Sequence, residues 1–319
     1  MNFKRILITG GTGFLGKQLA KSLKAESEVI LTGRNNKQNF KAKAVTGCDV
    51  MPMDVSNIES VRDCVAEVKP DLIIHAAATK FVDLSEVMPM ECIDVNVLGS
   101  QNVARVAIDK GVKAVIGIST DKASPPIRNI YGMSKATMER IFCSLDAKTD
   151  TNFACVRYGN VAWSTGSVLP IWKEMYEDKG VLRSTGPDMS RFFFTVNEAV
   201  QLILTAIENL NEIKGKVLSR NMKSSLIRNI LQVWVDEIGG RWETMDGRPG
   251  DRLYECLIGE LELKYTKEII YNNVRHYLIS FNSKVETPLK STSGTILAKQ
   301  IILVPILRAG LGLLEGFAK

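Results

Sequence analysis

The sequence predicts an α/β protein: a Rossmann-type, doubly wound parallel sheet with a smaller α/β substrate-binding region. Three observations carry that expectation. From Met1 to about Asn160, short β-branched runs alternate with amphipathic stretches. The first run, Ile6-Leu7-Ile8-Thr9, leads straight into a glycine-rich turn, and 319 residues allow either one large α/β domain or a nucleotide-binding domain carrying a smaller second one.

Taken in order, Ile6 to Thr9 reads as a strand, and Phe14, Leu15, Leu19, Ala20 and Leu23 recur at helical spacing. Val29 to Thr32 is the next strand. A third strand falls at Val50 to Met53 and a fourth at Leu72 to His75. A long helix is expected from Ile93 to Asp109, then a strand from Ala114 to Ser119. After Val161, the breakers Gly166, Pro170, Gly180, Gly186 and Pro187 divide the chain into shorter pieces, among them a helix from Val196 to Leu210. The expected organisation is residues 1–160 as the dinucleotide domain with the reactive segment, 161–283 as the substrate region, with some segments returning to the sheet, and 284–319 as an atypical tail.

Composition excludes several classes. With 45% hydrophobic and 24% charged residues the chain is not disordered. No run approaches the roughly 20 apolar residues of a membrane span, and the apolar stretch after Met1-Asn2-Phe3-Lys4-Arg5 is too short for a signal peptide, so a cytoplasmic protein without membrane insertion is expected. Six cysteines without a CxxC pair and two histidines argue against a metal site or a disulfide framework. The formal charge of +6 comes without any nucleic-acid-binding motif, and no nucleic-acid partner is expected. About half of that excess lies in residues 284–319.

Gly10, Thr12, Gly13, Phe14, Leu15 and Gly16 form the turn between first strand and first helix. Glycines there let the backbone approach a pyrophosphate, which the helix N-terminus favours. The second strand ends in Gly33-Arg34, a guanidinium suited to a 2′-phosphate, where an acidic residue would select a free ribose hydroxyl. The expected cofactor is therefore NADP, with NAD as the alternative. Asp54, with Val55, is a candidate for the adenine edge, and Ala76, Ala77 and Ala78 for the cofactor's flank.

Residues Ser119 to Lys135 carry the reactive groups. Tyr131 and Lys135 are four apart at the start of a helix and share a face, so the ammonium and a nicotinamide cation should lower the phenol's pKa and make Tyr131 a base for an alcohol. Thr120-Asp121-Lys122 lies just upstream; a helix cap or a surface ion pair is the alternative reading of that triplet.

These segments resemble the extended short-chain dehydrogenases/reductases, and specifically the UDP-N-acetylglucosamine 4,6-dehydratase group of polysaccharide-biosynthesis proteins. The matching stretches are Thr9 to Gly16, His75 to Lys80, Asn96 with Gly99, Ser119 to Ala123, Tyr131 with Lys135, Arg157 to Val161, Gly166 to Pro170, Met189 to Phe192 and Arg248 to Glu255. The resemblance implies oxidation at the sugar C4 with Tyr131 taking the hydroxyl proton and Lys135 steadying the phenolate. It implies loss of water across C5 and C6, with Asp121 and Lys122 as acid and base, and Thr120 on the C4 oxygen. Lys122 as base and Asp121 as acid is the simplest division, and the sequence leaves the assignment open. It further implies that Lys80, Asn160, Ser167, Arg191, Arg248 and Glu255 meet the nucleotide-sugar, that His75 is structural, that Asn96 supports a proton path and that the enzyme is a homo-oligomer.

Three departures concern the pocket: Pro125 to Asn129 lengthen the loop before Tyr131, Phe81 replaces a polar residue, and Trp163 stands where a small residue is usual. In the tail, Val285 to Leu289 and Ile302 to Gly312 resemble a fragment of uracil phosphoribosyltransferases, without that family's phosphoribosyl-diphosphate loop. A 4-epimerase would use Tyr131 and Lys135 without needing Asp121 or Lys122. A non-catalytic NADP-binding regulator is the reading from another class.

Overall fold

A computed structural model describes residues 3–247, 251–286 and 291–295. The chain divides into two compact units, Met1–Phe281 and Asn282–Lys319.

The first unit opens with β1 (Arg5–Thr9), α1 (Phe14–Leu23), β2 (Glu28–Gly33), α2 (Asn36–Thr46), β3 (Asp49–Pro52), α3 (Ile58–Val68) and β4 (Leu72–His75). Short helices α4 (Val82–Val87) and α5 (Pro89–Ile93) run through a π-helical turn, Asp94–Leu98, into α6 (Gly99–Asp109). Next come β5 (Ala114–Thr120), a 3-10 turn at Asp121–Ala123, α7 (Ile130–Asp146) and β6 (Asn152–Tyr158). The remainder holds β7 (Asn160–Val161), α8 (Val168–Lys179), β8 (Val181–Ser184), β9 (Ser190–Phe194), α9 (Val196–Glu208), α10 (Leu210–Ile213), β10 (Lys216–Arg220), β11 (Lys223–Leu226), α11 (Ile227–Ile238) and β12 (Arg241–Thr244). A second 3-10 segment, Glu260–Tyr265, precedes β13 (Thr266–Tyr271) and β14 (Val274–Ser280).

Nine strands form one sheet in the order β13-β14-β10-β6-β5-β4-β1-β2-β3. From β3 to β10 all neighbours are parallel, and β14 and β13 continue the far edge antiparallel. Thus β10, β13 and β14, from the C-terminal half, return to the sheet built by the first half. Strand order reverses between β1 and β4, and an open parallel sheet binds its ligand outside the carboxyl ends of its strands at such a point. Register aligns those ends: Thr9 opposite His75, and Thr120 opposite Tyr158.

Both sheet faces are covered, which is why the central strands are apolar on both sides; all seven residues of β5 are buried. One core joins Ile6, Ile8, Ile74, Ile116 and Val156 to Leu19 and Ala20 of α1 and Leu202 and Ile203 of α9. The other joins Leu7, Ile73, Val115 and Phe153 to Val61 of α3, Val103 of α6, and Met138 and Phe142 of α7. A third cluster, Trp172, Leu182, Ile227, Leu231 and Trp234, holds α8, β8 and α11 together. It lies outside the nine-stranded sheet, as does the small sheet β11-β9-β7.

The expected single helix from Ile93 to Asp109 is interrupted by the π turn, which inserts a residue into the helical register. In the second unit, β15 (Asn282–Glu286) and β16 (Ser291–Thr295) pair antiparallel. The stretch Ile302 to Gly312 lies outside the described residues.

Candidate active site

The glycine turn is shaped by what surrounds it. Gly10 has a φ of +62°, and a Cβ there would stand 2.7 Å from Ala77 Cα; one on Gly11 would stand 2.7 Å from Ile8 O. The turn therefore lies flush against Ala76 and Ala77, which follow β4. Thr9 Oγ1 accepts the Ala77 N–H at 3.2 Å and is 2.8 Å from His75 Nδ1, tying the two strand ends together. Helix α1 begins after Gly13, which provides no side-chain cap for the first-turn N–H groups. A bare N-terminus beside glycines fits a dinucleotide pyrophosphate.

Arg34 follows β2 and is half exposed. Its guanidinium lies 3.3 Å from Glu91 and 3.9 Å from Asp54. Asp54 Oδ1 accepts hydrogen bonds from Ser56 N at 3.0 Å and Ser56 Oγ at 2.7 Å, fixing the loop after β3. Val55 is buried, and Gly99 at the start of α6 leaves it room.

Thr120 ends β5 and turns the chain into the 3-10 segment. Its Oγ1 donates to Asp121 Oδ1 at 3.0 Å, and Lys122 Nζ donates to the same oxygen at 3.1 Å. Asp121 is fully buried, and the Lys122 side chain is 16% exposed. Helix α7 starts at Ile130 because Asn129 caps it, its Oδ1 accepting Gly132 N at 2.7 Å. Tyr131 then falls in the first turn, with Lys135 one turn later on the same face.

The Tyr131 phenol differs from the sequence expectation. Burial pushes its pKa up, a hydrogen bond with Thr120 opposes this, and the Asp121 charge adds to the rise. The expected lowering by Lys135 is absent: Lys135 Nζ donates instead to Met138 Sδ at 3.4 Å. Burial lowers the Lys135 pKa to about 8. Desolvation of the phenolate sets the direction of the shift.

Asn96 sits in the π turn, a feature that recurs at functional sites. Its Oδ1 accepts Thr79 N at 2.8 Å, and its Nδ2 donates to Thr79 O and to Ser134 Oγ, both at 2.9 Å. Ser134 Oγ in turn donates to Tyr131 O at 2.8 Å, so one buried amide ties the segment after β4 to the helix bearing Tyr131. His75 is fully buried between Thr9 and Ser100 Oγ, the latter at 3.0 Å; burial and then the Lys135 charge lower its pKa to about 3, so it stays neutral.

At the substrate end, Glu255 lies beside the reactive triplet, its Oε1 4.0 Å from Lys122 Nζ. Arg191 donates to Ser190 O at 2.9 Å and Arg252 O at 2.8 Å and lies 3.7 Å from Asp251. Asn160 Nδ2 donates to Phe192 O at 3.0 Å, and Ser167 precedes α8. Lys80 Nζ donates to Thr165 O. Phe81 packs over Gly166, whose φ is +71°. Trp163, half exposed with a φ of +62°, faces Trp234 at 6.3 Å. Arg248 lies outside the described residues.

Sequence reasoning missed three site residues. Gly132 lets α7 touch the 3-10 turn, because a Cβ there would collide with Lys122 O. Gly159 leaves space for Asp121, whose Oδ2 would be 3.0 Å from a Cβ at that position. Arg252 places NH1 4.0 Å from Glu255 Oε2. The glycines stood in the quoted motifs, but nothing in their spacing named the distant backbone they face.

A doubly wound parallel sheet with a glycine turn at its switch point defines the dinucleotide-binding class of α/β folds. Within that class the chain belongs to the polysaccharide biosynthesis protein family, whose model matches residues 6–275. It is 35% identical over 283 residues to a Methanocaldococcus jannaschii protein described as an uncharacterized membrane protein, covering 83% of this chain and 84% of that one. It is 31% identical to a UDP-N-acetylglucosamine 4,6-dehydratase (inverting) of Campylobacter jejuni, with 89% and 85% covered, and 33% identical to a UDP-glucose 4-epimerase of Rickettsia felis, with 82% and 79% covered. Among solved structures, Pen from Bacillus thuringiensis superposes with a TM-score of 0.81 at 28% identity, covering 88% of this chain and 90% of that one. No helix among the described residues is long and apolar enough to cross a membrane.

Proposed function

We propose that this chain is an NADP-dependent nucleotide-sugar 4,6-dehydratase, a lyase acting on UDP-N-acetylglucosamine or a related UDP-hexose to give a 4-keto-6-deoxy sugar for surface polysaccharide or glycan synthesis. The observation that carries this reading is the contiguous set Tyr131, Thr120, Asp121 and Lys122, in which Thr120 touches both the phenol and the Asp121 carboxylate while Lys122 pairs with Asp121 at 3.1 Å. The dehydratase relatives supply the substrate class.

A bound nicotinamide supplies a reversible hydride acceptor, and the glycine turn, with Ala76 and Ala77, fits its dinucleotide. Tyr131 takes the proton of the C4 hydroxyl, Thr120 orients that oxygen, and the Lys135 ammonium, on the same face of α7, exchanges Met138 Sδ for the phenolate and steadies it. The resulting ketone acidifies the C5 hydrogen. Lys122 as the amine removes that proton, and Asp121 as the acid protonates the departing 6-hydroxyl. Arg34 reads the 2′-phosphate, exchanging its contacts with Glu91 and Asp54 for it. Residues 1–160 supply the cofactor site and, at their end, Asn160 for the sugar-nucleotide, 161–283 supply the rest of the sugar-nucleotide site with Ser167, Arg191 and Arg248, and the protein acts in the cytoplasm as a homo-oligomer.

The relatives named as 4-epimerases favour a second reading, in which C4 is inverted and no water leaves. Incubation with UDP-N-acetylglucosamine tests both: a product lighter by one water supports the dehydratase, and an isobaric product the epimerase.

A further inference from the structure

We propose that Glu255 is the proton-holding partner of Lys122: its carboxylate takes a proton from the Lys122 ammonium so that the amine can act on C5, and returns it at the end of the cycle. This inference rests on the dehydratase reading above. To act as the base for C5, Lys122 must be the amine, yet it is paired with an acid that, on the same reading, has to arrive protonated. The proton that Lys122 sheds therefore needs a second acceptor.

Glu255 is the group placed to be one. Its side chain is 4% exposed, Oε1 faces Lys122 Nζ at 4.0 Å, and Oε2 accepts no hydrogen bond among the described residues. Asp121 Oδ2 likewise accepts no hydrogen bond among the described residues, but Asp121 Oδ1 is already engaged by Thr120 and Lys122, whereas Glu255 accepts from neither. Charged groups meet Glu255 from three segments: Asp121 and Lys122 from the 3-10 turn, Arg191 from β9 and Arg252 from its own loop. Burial raises the Glu255 pKa first of all, Lys122 opposes the rise and Asp121 adds to it. A desolvated carboxylate that lacks donors is a better proton acceptor than one holding two hydrogen bonds.

The protons balance over one turnover. Lys122 Nζ closes from 4.0 Å to hydrogen-bond distance of Glu255 Oε1, and the Lys122 N–H bond breaks as the Glu255 Oε1–H bond forms. Lys122 takes the C5 proton while the C6–O bond breaks and Asp121 gives its proton to the leaving oxygen, releasing water. Lys122 returns a proton to C5 as C6 is reduced, and Glu255 then gives its proton back to Lys122. The proton that Tyr131 took from the C4 hydroxyl reaches Asp121 through the Thr120 hydroxyl. No outside acid, base or reductant is consumed.

The test compares wild type with E255Q and E255D on two substrates, UDP-N-acetylglucosamine and its 6-deoxy analogue. The analogue has no 6-hydroxyl to lose, so the near-ultraviolet absorbance of the reduced nicotinamide reports C4 oxidation alone. In E255Q the ratio of water loss to oxidation should fall about 100-fold, the lower end of what a positioned acid or base contributes. Reduced nicotinamide should accumulate with the true substrate, and solvent deuterium should no longer enter C5 at the wild-type rate. E255D, which keeps a carboxyl group, should recover part of the ratio. An unchanged ratio in E255Q, or equal loss of both reactions in E255Q and E255D, overturns the proposal. A wild-type enzyme that oxidises sugar but releases no water removes the dehydratase reading and this role with it.

Discussion

Gly132 meets the carbonyl of Lys122 so closely that a side chain at 132 has no room, and this contact sets the distance between helix α7 and the 3-10 turn. Tyr131 and Lys122 stand on either side of it. The two halves of the proposed chemistry, oxidation at C4 and elimination at C5 and C6, are held in register by a position without a Cβ.

Gly132→Ala should therefore damage turnover more than stability. The methyl forces α7 away from Lys122, and a displacement near 1 Å at reacting groups costs about 100-fold in rate. Steady-state kcat should fall by that order, with the melting temperature lowered by only a few degrees.

Lys135 predicts a pH limb. Its pKa is lowered by burial to about 8, from the 10.5 of a lysine in water. The ammonium is the form that stabilises the Tyr131 phenolate, so the rate of C4 oxidation should decline above pH 8. The stability sign runs the other way: the burial penalty on the ammonium is fully present below pH 8 and is relieved as pH rises from about 8 toward 10.5. Lys135→Met should remove this stability slope, measurable by denaturant unfolding across that range, and abolish oxidation.

Arg157 predicts a structural cost. It is fully buried, with Nε and NH2 donating to Glu139 at 2.9 and 2.6 Å, NH1 and NH2 donating to Glu262 at 2.7 and 2.9 Å, and NH1 also donating to Leu257 O at 2.9 Å. These contacts tie α7 to β6 and to the loop that follows Glu255. Arg157 keeps Glu139 when Glu262 is removed, but two buried charge-assisted bonds and the acceptor of Gly259 N are lost, so Glu262→Ala should destabilise the fold by about 2–3 kcal/mol in equilibrium unfolding.

Arg34 predicts cofactor choice. Arg34→Glu places a carboxylate where a 2′-phosphate would sit, and binding should shift from NADP toward NAD in titrations of the two cofactors. Equal affinities in the wild type would contradict the assignment of Arg34.

The features legible in sequence were those encoded by local spacing. Gly10 to Gly16 sits between a strand and a helix within one short stretch, and Tyr131 and Lys135 are one helical turn apart, so periodicity alone places each set together. The register that brings β10 back beside β6, and β14 beside β10, was less legible, because it depends on partners far along the chain. The same limit hid the approach of Glu255 to Lys122 and of Glu262 to Arg157. The π turn around Asn96 escaped because apolar periodicity continues through it, and the rise in the Tyr131 pKa escaped because burial of the ring depends on the packed fold.

The most direct measurement is the mass of the product formed from UDP-N-acetylglucosamine by the wild-type protein and by the Asp121→Asn, Lys122→Ala double variant. The account predicts a product lighter by one water from the wild type and none from the double variant, which should still bind NADP. Undiminished water loss in the double variant would contradict the assignment of Asp121 and Lys122 as the acid and base of the elimination.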